Sequence, residues 1–165
     1  MTVHTRRGRY FDELEVGDVF LHRPGRTVSD AENVLFTTLT GNTQSLHLDA
    51  VFASQTQFGQ RLVNSLYTLS IVVGLSVSDV TEGTTIANLG FEAVDFPKPV
   101  FDGDTILAST EVISKRVSKS DPTRGIVMFE HRGTNQRDEV VCTARRAAMM
   151  RMRPDDARAE EPNGG

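Results

Sequence analysis

The stretch with the most chemical potential is Leu39-Thr40-Gly41-Asn42-Thr43-Gln44-Ser45-Leu46-His47-Leu48-Asp49, a run of small polar side chains holding one imidazole. An imidazole with an ordinary pKa near 6.5 both takes and returns protons at neutral pH, so His47 is the group here suited to acid–base work. A histidine alone in a loop serves equally as a structural hydrogen-bonding residue, and His4, His22 and His131 lack comparable surroundings. The amide of Asn42 can orient a water but has no titratable proton. It can also end a helix in the left-handed conformation that Asn tolerates. Asp49 directly precedes Ala50-Val51-Phe52, where it reads first as a helix cap and only second as a catalyst. Arg61 and Lys98 either face solvent or meet a phosphate or a substrate carboxylate.

Other chemistries lack their residues. Cys142 is the single cysteine, so neither an intrachain disulfide nor a thiolate zinc site can form, no metal is expected, and a reducing cytoplasm fits. Eighteen Lys+Arg against 22 Asp+Glu leave a net charge of −4, which implies no cationic surface for nucleic acid. Gly17-Asp18 and Gly103-Asp104 lack the glycine-rich spacing of a nucleotide loop and read as turns. Arg6, Arg7 and Arg9 are followed by no apolar run, so no secretory signal or anchor is expected. The stretch 62–80 is broken by Asn64, Ser65, Thr68, Ser70, Ser76, Ser78 and Asp79 and reads as a buried helix, not a membrane span.

The elements that must position these residues follow from periodicity. The 165 residues suit one domain, and the 38% hydrophobic fraction plus 13 glycines is ordinary for a globular chain. A short strand opens at Val19-Phe20-Leu21 and ends at Pro24-Gly25. Ser29-Asp30-Ala31-Glu32 has capping-box spacing and predicts a helix from Asp30 to Gly41, with Ala31, Leu35 and Leu39 as its apolar face. Residues 40–48 read as a loop. Leu62, Val63, Leu66, Leu69, Val72, Val73 and Leu75 cover most of a helix circumference and predict a helix wrapped on several sides. From Thr84 the period becomes two, and four strands follow: one through Ala87, Leu89, Phe91 and Ala93, one from Ile106 to about Val117, then 126–132 and 140–152. The second half thus reads as an antiparallel meander, and 154–165 as a disordered tail. One buried helix beside a long antiparallel sheet makes an α+β fold with the sheet curved around the helix.

The motif 39–49, followed by Phe52-Ala53 and Phe58-Gly59-Gln60-Arg61-Leu62-Val63-Asn64-Ser65, resembles the signature of the MaoC-like (R)-specific enoyl-CoA hydratases. Those hot-dog domains carry Gly-Asp-x-Asn-Pro-Leu/Ile-His-x-Asp at the end of a helix and His-Gly at the start of the central helix. Phe11 to Val19 resembles the family's opening, and Phe96-Pro97-Lys98-Pro99-Val100-Phe101-Asp102-Gly103-Asp104 its Pro-Val-x-x-Gly-Asp connection. The likeness runs with gaps from about Tyr10 to Arg151. It implies a hot-dog fold in one domain over 10–153, preceded by an arm, 1–9.

The resemblance also implies a site. His47 falls on the family's catalytic histidine, and the Ser65 amide on the donor that polarises the thioester carbonyl, with Asn64 replacing the usual histidine. Asn42 falls on the catalytic aspartate, so the family's two-residue mechanism does not carry over intact. Gln44-Ser45 replaces Asn-Pro, which suggests a rebuilt loop. Either His47 relays one proton alone, or another carboxylate such as Asp49 substitutes, or hydration has been lost. The implied activity is hydration or dehydration of an enoyl-CoA thioester, with short methyl-branched dicarboxylic acyl-CoAs such as mesaconyl- or itaconyl-CoA as one direction, coenzyme A as part of the substrate, and no other cofactor. The competing readings are a hot-dog thioesterase and a non-catalytic acyl-CoA-binding or partner subunit. Edge-to-edge pairing of hot-dog sheets implies a homodimer or higher even-numbered oligomer.

Overall fold

The computed structural model describes residues 8–154, so most of the expected arm and tail lies outside the described residues. Gly8 and Arg9 belong to the folded body, since their amides donate to Glu82 O at 2.7 Å and Val80 O at 2.9 Å. The described residues form nine helices and strands, with one short turn before them and one among them. After the 3₁₀ turn Phe11–Glu13 come β1 (Val19–Thr27), α1 (Asp30–Leu39), α2 (Ser45–Leu48), α3 (Ala50–Ser54) and α4 (Ser65–Ser76). A π turn, Val77–Thr81, ends α4, and then come β2 (Thr85–Asp95), β3 (Thr105–Val117), β4 (Arg124–Thr134) and β5 (Val140–Arg151).

The five strands form one antiparallel sheet in the order β1-β3-β4-β5-β2. The expected meander holds for β3, β4 and β5, but β2 crosses to the far edge and pairs with β5. Three register irregularities break its alternation, so Ile86, Leu89 and Phe91 are exposed instead of lining one buried face. β1 does not stop at Pro24. It continues to Thr27 across an irregularity between His22 and Arg26, which the missing proline N–H permits because β1 is an edge strand. Gly25 permits the close approach there, since a Cβ would lie 2.9 Å from Ile106 O.

Helix α4 lies against β3, β1, β5 and β4, with Thr68, Ile71, Val72 and Ser76 buried. It is seated by Gly133, where any Cβ would meet Val72 Cγ2 at 2.4 Å. Its other side, bearing Leu66, Ser70 and Gly74, is exposed, so the helix is not wrapped on all sides as its composition suggested. One sheet reaches only one side of a helix. No helix among the described residues is long and apolar enough to cross a membrane.

The core has two apolar parts. One surrounds Val28, Val63, Ile71, Val72, Ile106, Val141 and Cys142, and the other Phe11, Leu14, Val80, Val112, Val127, Phe129 and Met150. Burial pushes the Cys142 thiol up to about 11, so it behaves as a small apolar residue. Between the two parts a row of polar side chains crosses the sheet, one from each of β1, β3, β4 and β5. Arg146 Nε donates to His131 Nε2 at 2.8 Å, and His131 Nδ1 lies 2.8 Å from Thr110 Oγ1. Thr110 Oγ1 lies 2.8 Å from His22 Nε2, and His22 Nδ1 lies 2.9 Å from Asp79 Oδ2 on the π turn. A guanidinium only donates and a carboxylate only accepts, so His131 Nε2 accepts from Arg146, which leaves that ring neutral, and His22 Nδ1 donates to Asp79. Every member has a partner, which is the condition for a buried polar row to be tolerated.

This row makes stability depend on pH. Burial first, then the charges of Arg146 and His22, push His131 down to about 3. Below its ordinary pKa near 6.5 the unfolded chain takes up a proton that the folded chain refuses until about pH 3. Stability therefore falls as pH falls through this window, by up to about 1.4 kcal/mol per pH unit. The melting temperature should drop steadily from pH 6.5 to pH 4, and His131→Gln, though less stable at pH 7, should show a shallower slope by calorimetry. Equal slopes would remove His131 as the cause.

Candidate active site

The site is assembled around α1. Its capping box forms as expected: Ser29 Oγ accepts from Glu32 N at 3.4 Å, and Glu32 Oε2 accepts from Ser29 N at 3.2 Å. The buried face is not the expected one. Leu35 and Leu39 are 59% and 77% exposed, whereas Asn33 and Thr37 are fully buried. The reason is hydrogen bonding, since the chain packed under α1 presents main-chain groups that leucines cannot satisfy. Asn33 Nδ2 donates to Leu62 O at 3.1 Å and lies 3.5 Å from His47 O, while Asn33 Oδ1 accepts from Asn64 N at 2.8 Å. Thr37 Oγ1 accepts from Asn64 Nδ2 at 3.3 Å. Sequence reasoning missed both residues, although a polar pair four apart on a helix was a readable signal.

α1 ends with Gly41 N donating to Thr38 O and Asn42 N to Thr37 O, both at 3.0 Å. The left-handed residue is Gly41, with φ of 67°, and not Asn42. Asn42 Oδ1 accepts from Gln44 N at 2.9 Å, an Asx turn that leads straight into α2. His47 therefore sits on a short helix within what reads from sequence as loop. Ser45 is the first residue of that helix, a position that suits proline, so Gln44-Ser45 in place of Asn-Pro requires no rebuilt loop. Asp49 caps α3 by accepting from Phe52 N at 2.9 Å. Arg61 pairs with Asp30 and donates to Leu48 O at 3.2 Å, stapling α2 to α1.

His47 Nδ1 lies 2.9 Å from Leu62 O. A carbonyl only accepts, so Nδ1 carries the proton and, in the neutral ring, Nε2 keeps its lone pair. No partner holds Nε2 among the described residues. Leu62 N donates to Leu46 O at 3.1 Å, so the residue that fixes the ring is itself tied to α2. Asn64 caps α4 by accepting from Leu66 N at 3.0 Å. The Ser65 amide, first in the helix, has no hydrogen-bond partner among the described residues and lies at the positive end of the α4 dipole.

His47, Ser65 and Lys98 line one cavity of about 360 Å³, together with Phe58, Leu62, Val63, Thr68, Phe96, Val100 and Val141. Asn64, although it lies between the lining residues Val63 and Ser65, is not itself among the lining residues, and neither are Asn42, Asp49 and Arg61. A lone-pair nitrogen and an unpartnered amide on one mostly apolar cavity can move a proton and stabilise a developing oxyanion. A larger hollow of about 790 Å³ beside Arg124, Arg151 and Arg153 offers no such group. Its one carboxyl, Asp121, is held down to about 2 by hydrogen bonds from Thr123 and then Arg124.

Comparison with known proteins places these features in a family. A family model described as a MaoC like domain matches residues 12–134. A beta-methylmalyl-CoA dehydratase of Chloroflexus aurantiacus is 33% identical over 98% of this chain and 45% of its own length. A mesaconyl-CoA hydratase of Cereibacter sphaeroides is 33% identical over 96% of this chain and 46% of its own. The chain thus spans about half the length of these two relatives. An (R)-specific enoyl-CoA hydratase of Aeromonas caviae is 32% identical over 73% of this chain and 87% of its own. Among solved structures, an Archaeoglobus monoamine oxidase regulatory protein superposes with TM-score 0.81 at 34% identity, covering 92% of this chain and all of the other. A Mycobacterium tuberculosis protein described as a double hotdog fold superposes with TM-score 0.81 at 27% identity, over 94% of this chain and 47% of its own. The fold is the hot dog expected from the sequence.

The load on Asn33 is testable. Asn33→Ala leaves the Asn64 amide and the Leu62 carbonyl short of partners and should cost about 2–4 kcal/mol, measured from the urea midpoint. A loss below about 0.5 kcal/mol, the scale of an ordinary surface change, would show that the three segments hold together without it.

Proposed function

Since the chain belongs to the MaoC-like dehydratase family, we propose that it adds water to, or removes it from, an enoyl-CoA thioester, with His47 as the acid–base group. The observation that carries this is the placement on one cavity of the His47 ring, its Nδ1 held by Leu62 O, and of a Ser65 amide with no partner among the described residues. In the hydration direction Nε2 takes a proton from water as its oxygen bonds to the β-carbon. The electron pair of the double bond moves onto the thioester oxygen, where the Ser65 N–H meets it. His47 then returns the proton to the α-carbon, so one imidazole serves both halves and no second titratable group is required. Asn42 has its carbonyl engaged by Gln44 and supports the loop that presents His47, in keeping with its lack of a titratable proton. Asn64, Asp49 and Arg61 act on geometry, as two caps and a staple.

Coenzyme A is part of the substrate in this reading, and no further cofactor enters. Mesaconyl- and itaconyl-CoA are thioesters to assay alongside crotonyl-CoA. Because no carboxylate lines the cavity among the described residues, the thioesterase reading lacks the base it needs to activate water. The binding-subunit reading keeps one point in its favour: Asn42 stands where the family signature has its acid. The exposed β2 edge, with Ile86, Leu89 and Phe91, supports a homodimer or higher even-numbered oligomer, and the lone buried thiol suits a reducing cytoplasm.

His47→Ala should lower hydration, read as loss of enoyl-thioester absorbance, by roughly 100-fold or more while acyl-CoA affinity changes little. Wild-type rates in that variant would overturn the mechanism, and free thiol appearing in step with the absorbance loss would point to hydrolysis. Light scattering at micromolar concentration should give an even-numbered assembly; a monomer would refute pairing through β2.

A further inference from the structure

Within the hydratase reading, on which this rests, we propose that Lys98 is a specificity residue that takes the carboxylate of an acyl thioester bearing a second acid group. Lys98 is the one charged side chain on the cavity it shares with His47, and the walls are otherwise mainly apolar. No ion pair holds it among the described residues. Glu139, which feels the Lys98 charge, already accepts from Asn135 Nδ2 at 2.8 Å and Arg137 Nε at 2.9 Å. Arg61, the next cation along the site, is committed to Asp30. Among the described residues the cavity lining therefore carries one cation, held in no ion pair, and no carboxylate.

The root of that charge is fixed. Pro97 and Pro99 flank Lys98 and restrict the backbone on both sides, and Val100 O accepts from Val63 N at 2.9 Å, binding the segment to the residue before the α4 cap. Lys98 is exposed and lines the same mainly apolar wall, so an incoming carboxylate can reach its side chain from the cavity. A crotonyl chain offers nothing to this group, whereas an enoyl chain ending in carboxylate pairs with it. The coenzyme also carries anions, its phosphates, but a cavity of 360 Å³ is only about 9 Å across if taken as a sphere. The pantetheine arm that separates the thioester from the nearest phosphate is longer than that, which puts the phosphates beyond a lysine sharing the cavity with the reacting carbons.

The test is a selectivity ratio. With the full chain, kcat/KM and equilibrium affinity are measured for mesaconyl-CoA, which has the second carboxylate, and crotonyl-CoA, which does not, in wild type, Lys98→Met and Lys98→Arg. Wild type should favour mesaconyl-CoA, and Lys98→Met should cut that preference by roughly 10- to 100-fold, mainly through KM, with partial recovery in Lys98→Arg. A ratio unchanged in Lys98→Met overturns the proposal. So does an equal loss for both thioesters accompanied by weaker binding of free coenzyme A, which would assign Lys98 to a phosphate. If wild type hydrates neither thioester, the hydratase reading fails, and the affinity ratio still decides whether Lys98 selects the carboxylate.

Discussion

A single buried amide, that of Asn33, holds the site together. It donates to Leu62 O and accepts from Asn64 N, so the segment entering α4 is bound to α1 through both of its faces. Leu62 O also orients His47, and Asn64 caps the helix whose first free amide belongs to Ser65. The His47 ring and the Ser65 amide are therefore placed by the same few hydrogen bonds, and neither can move without disturbing the other. An irregular stretch buried under a helix has main-chain groups to satisfy, and an amide with two donors and an acceptor answers them where a leucine could not.

The second buried polar arrangement has a different logic. The row from Arg146 to Asp79 crosses four strands and separates the two apolar parts of the core. Burial lowers the Arg146 pKa, and the guanidinium offsets part of that cost through His131 and through the Phe129 ring, 5.8 Å from its carbon. The row also ties the π turn to the sheet through Asp79 and His22, fixing the end of α4 opposite the site. The helix is thus anchored at its N-terminus by Asn64 and at its C-terminus by a charge-to-charge hydrogen-bond chain.

The departures from the family signature read differently once placed. Gln44-Ser45 changes little, because Ser45 occupies a helix-opening position where proline also fits. Asn42 is a departure of another kind, since its carbonyl serves the Asx turn and its amide has no titratable proton. What remains on the cavity among the described residues is one imidazole, one unpartnered amide and one lysine, a smaller polar set than the signature implies, and the one on which the proposed relay rests.

Local sequence determined much of this protein by itself. The Ser29–Glu32 box, the Asp49 cap, the turns at Gly17 and Gly103 and the long strands β3, β4 and β5 are all fixed by near-neighbour preferences and appear where the sequence puts them. The motif around His47 made the family and its hot-dog fold legible, and with them the pairing of His47 with Ser65. Tertiary structure alone decided the rest. It turned Leu35 and Leu39 outward and buried Asn33 and Thr37, sent β2 to the far edge beside β5, and carried β1 through Pro24 on an unpaired edge. It also recruited His22 and His131, which sequence offered as unremarkable, into the polar row. For α1 and the polar row the physical reason is that periodicity reports which face of an element is apolar, whereas hydrogen-bond demand from a segment distant in sequence decides which face is buried; for β1 and β2 it is strand pairing, which places both at the edges of the sheet.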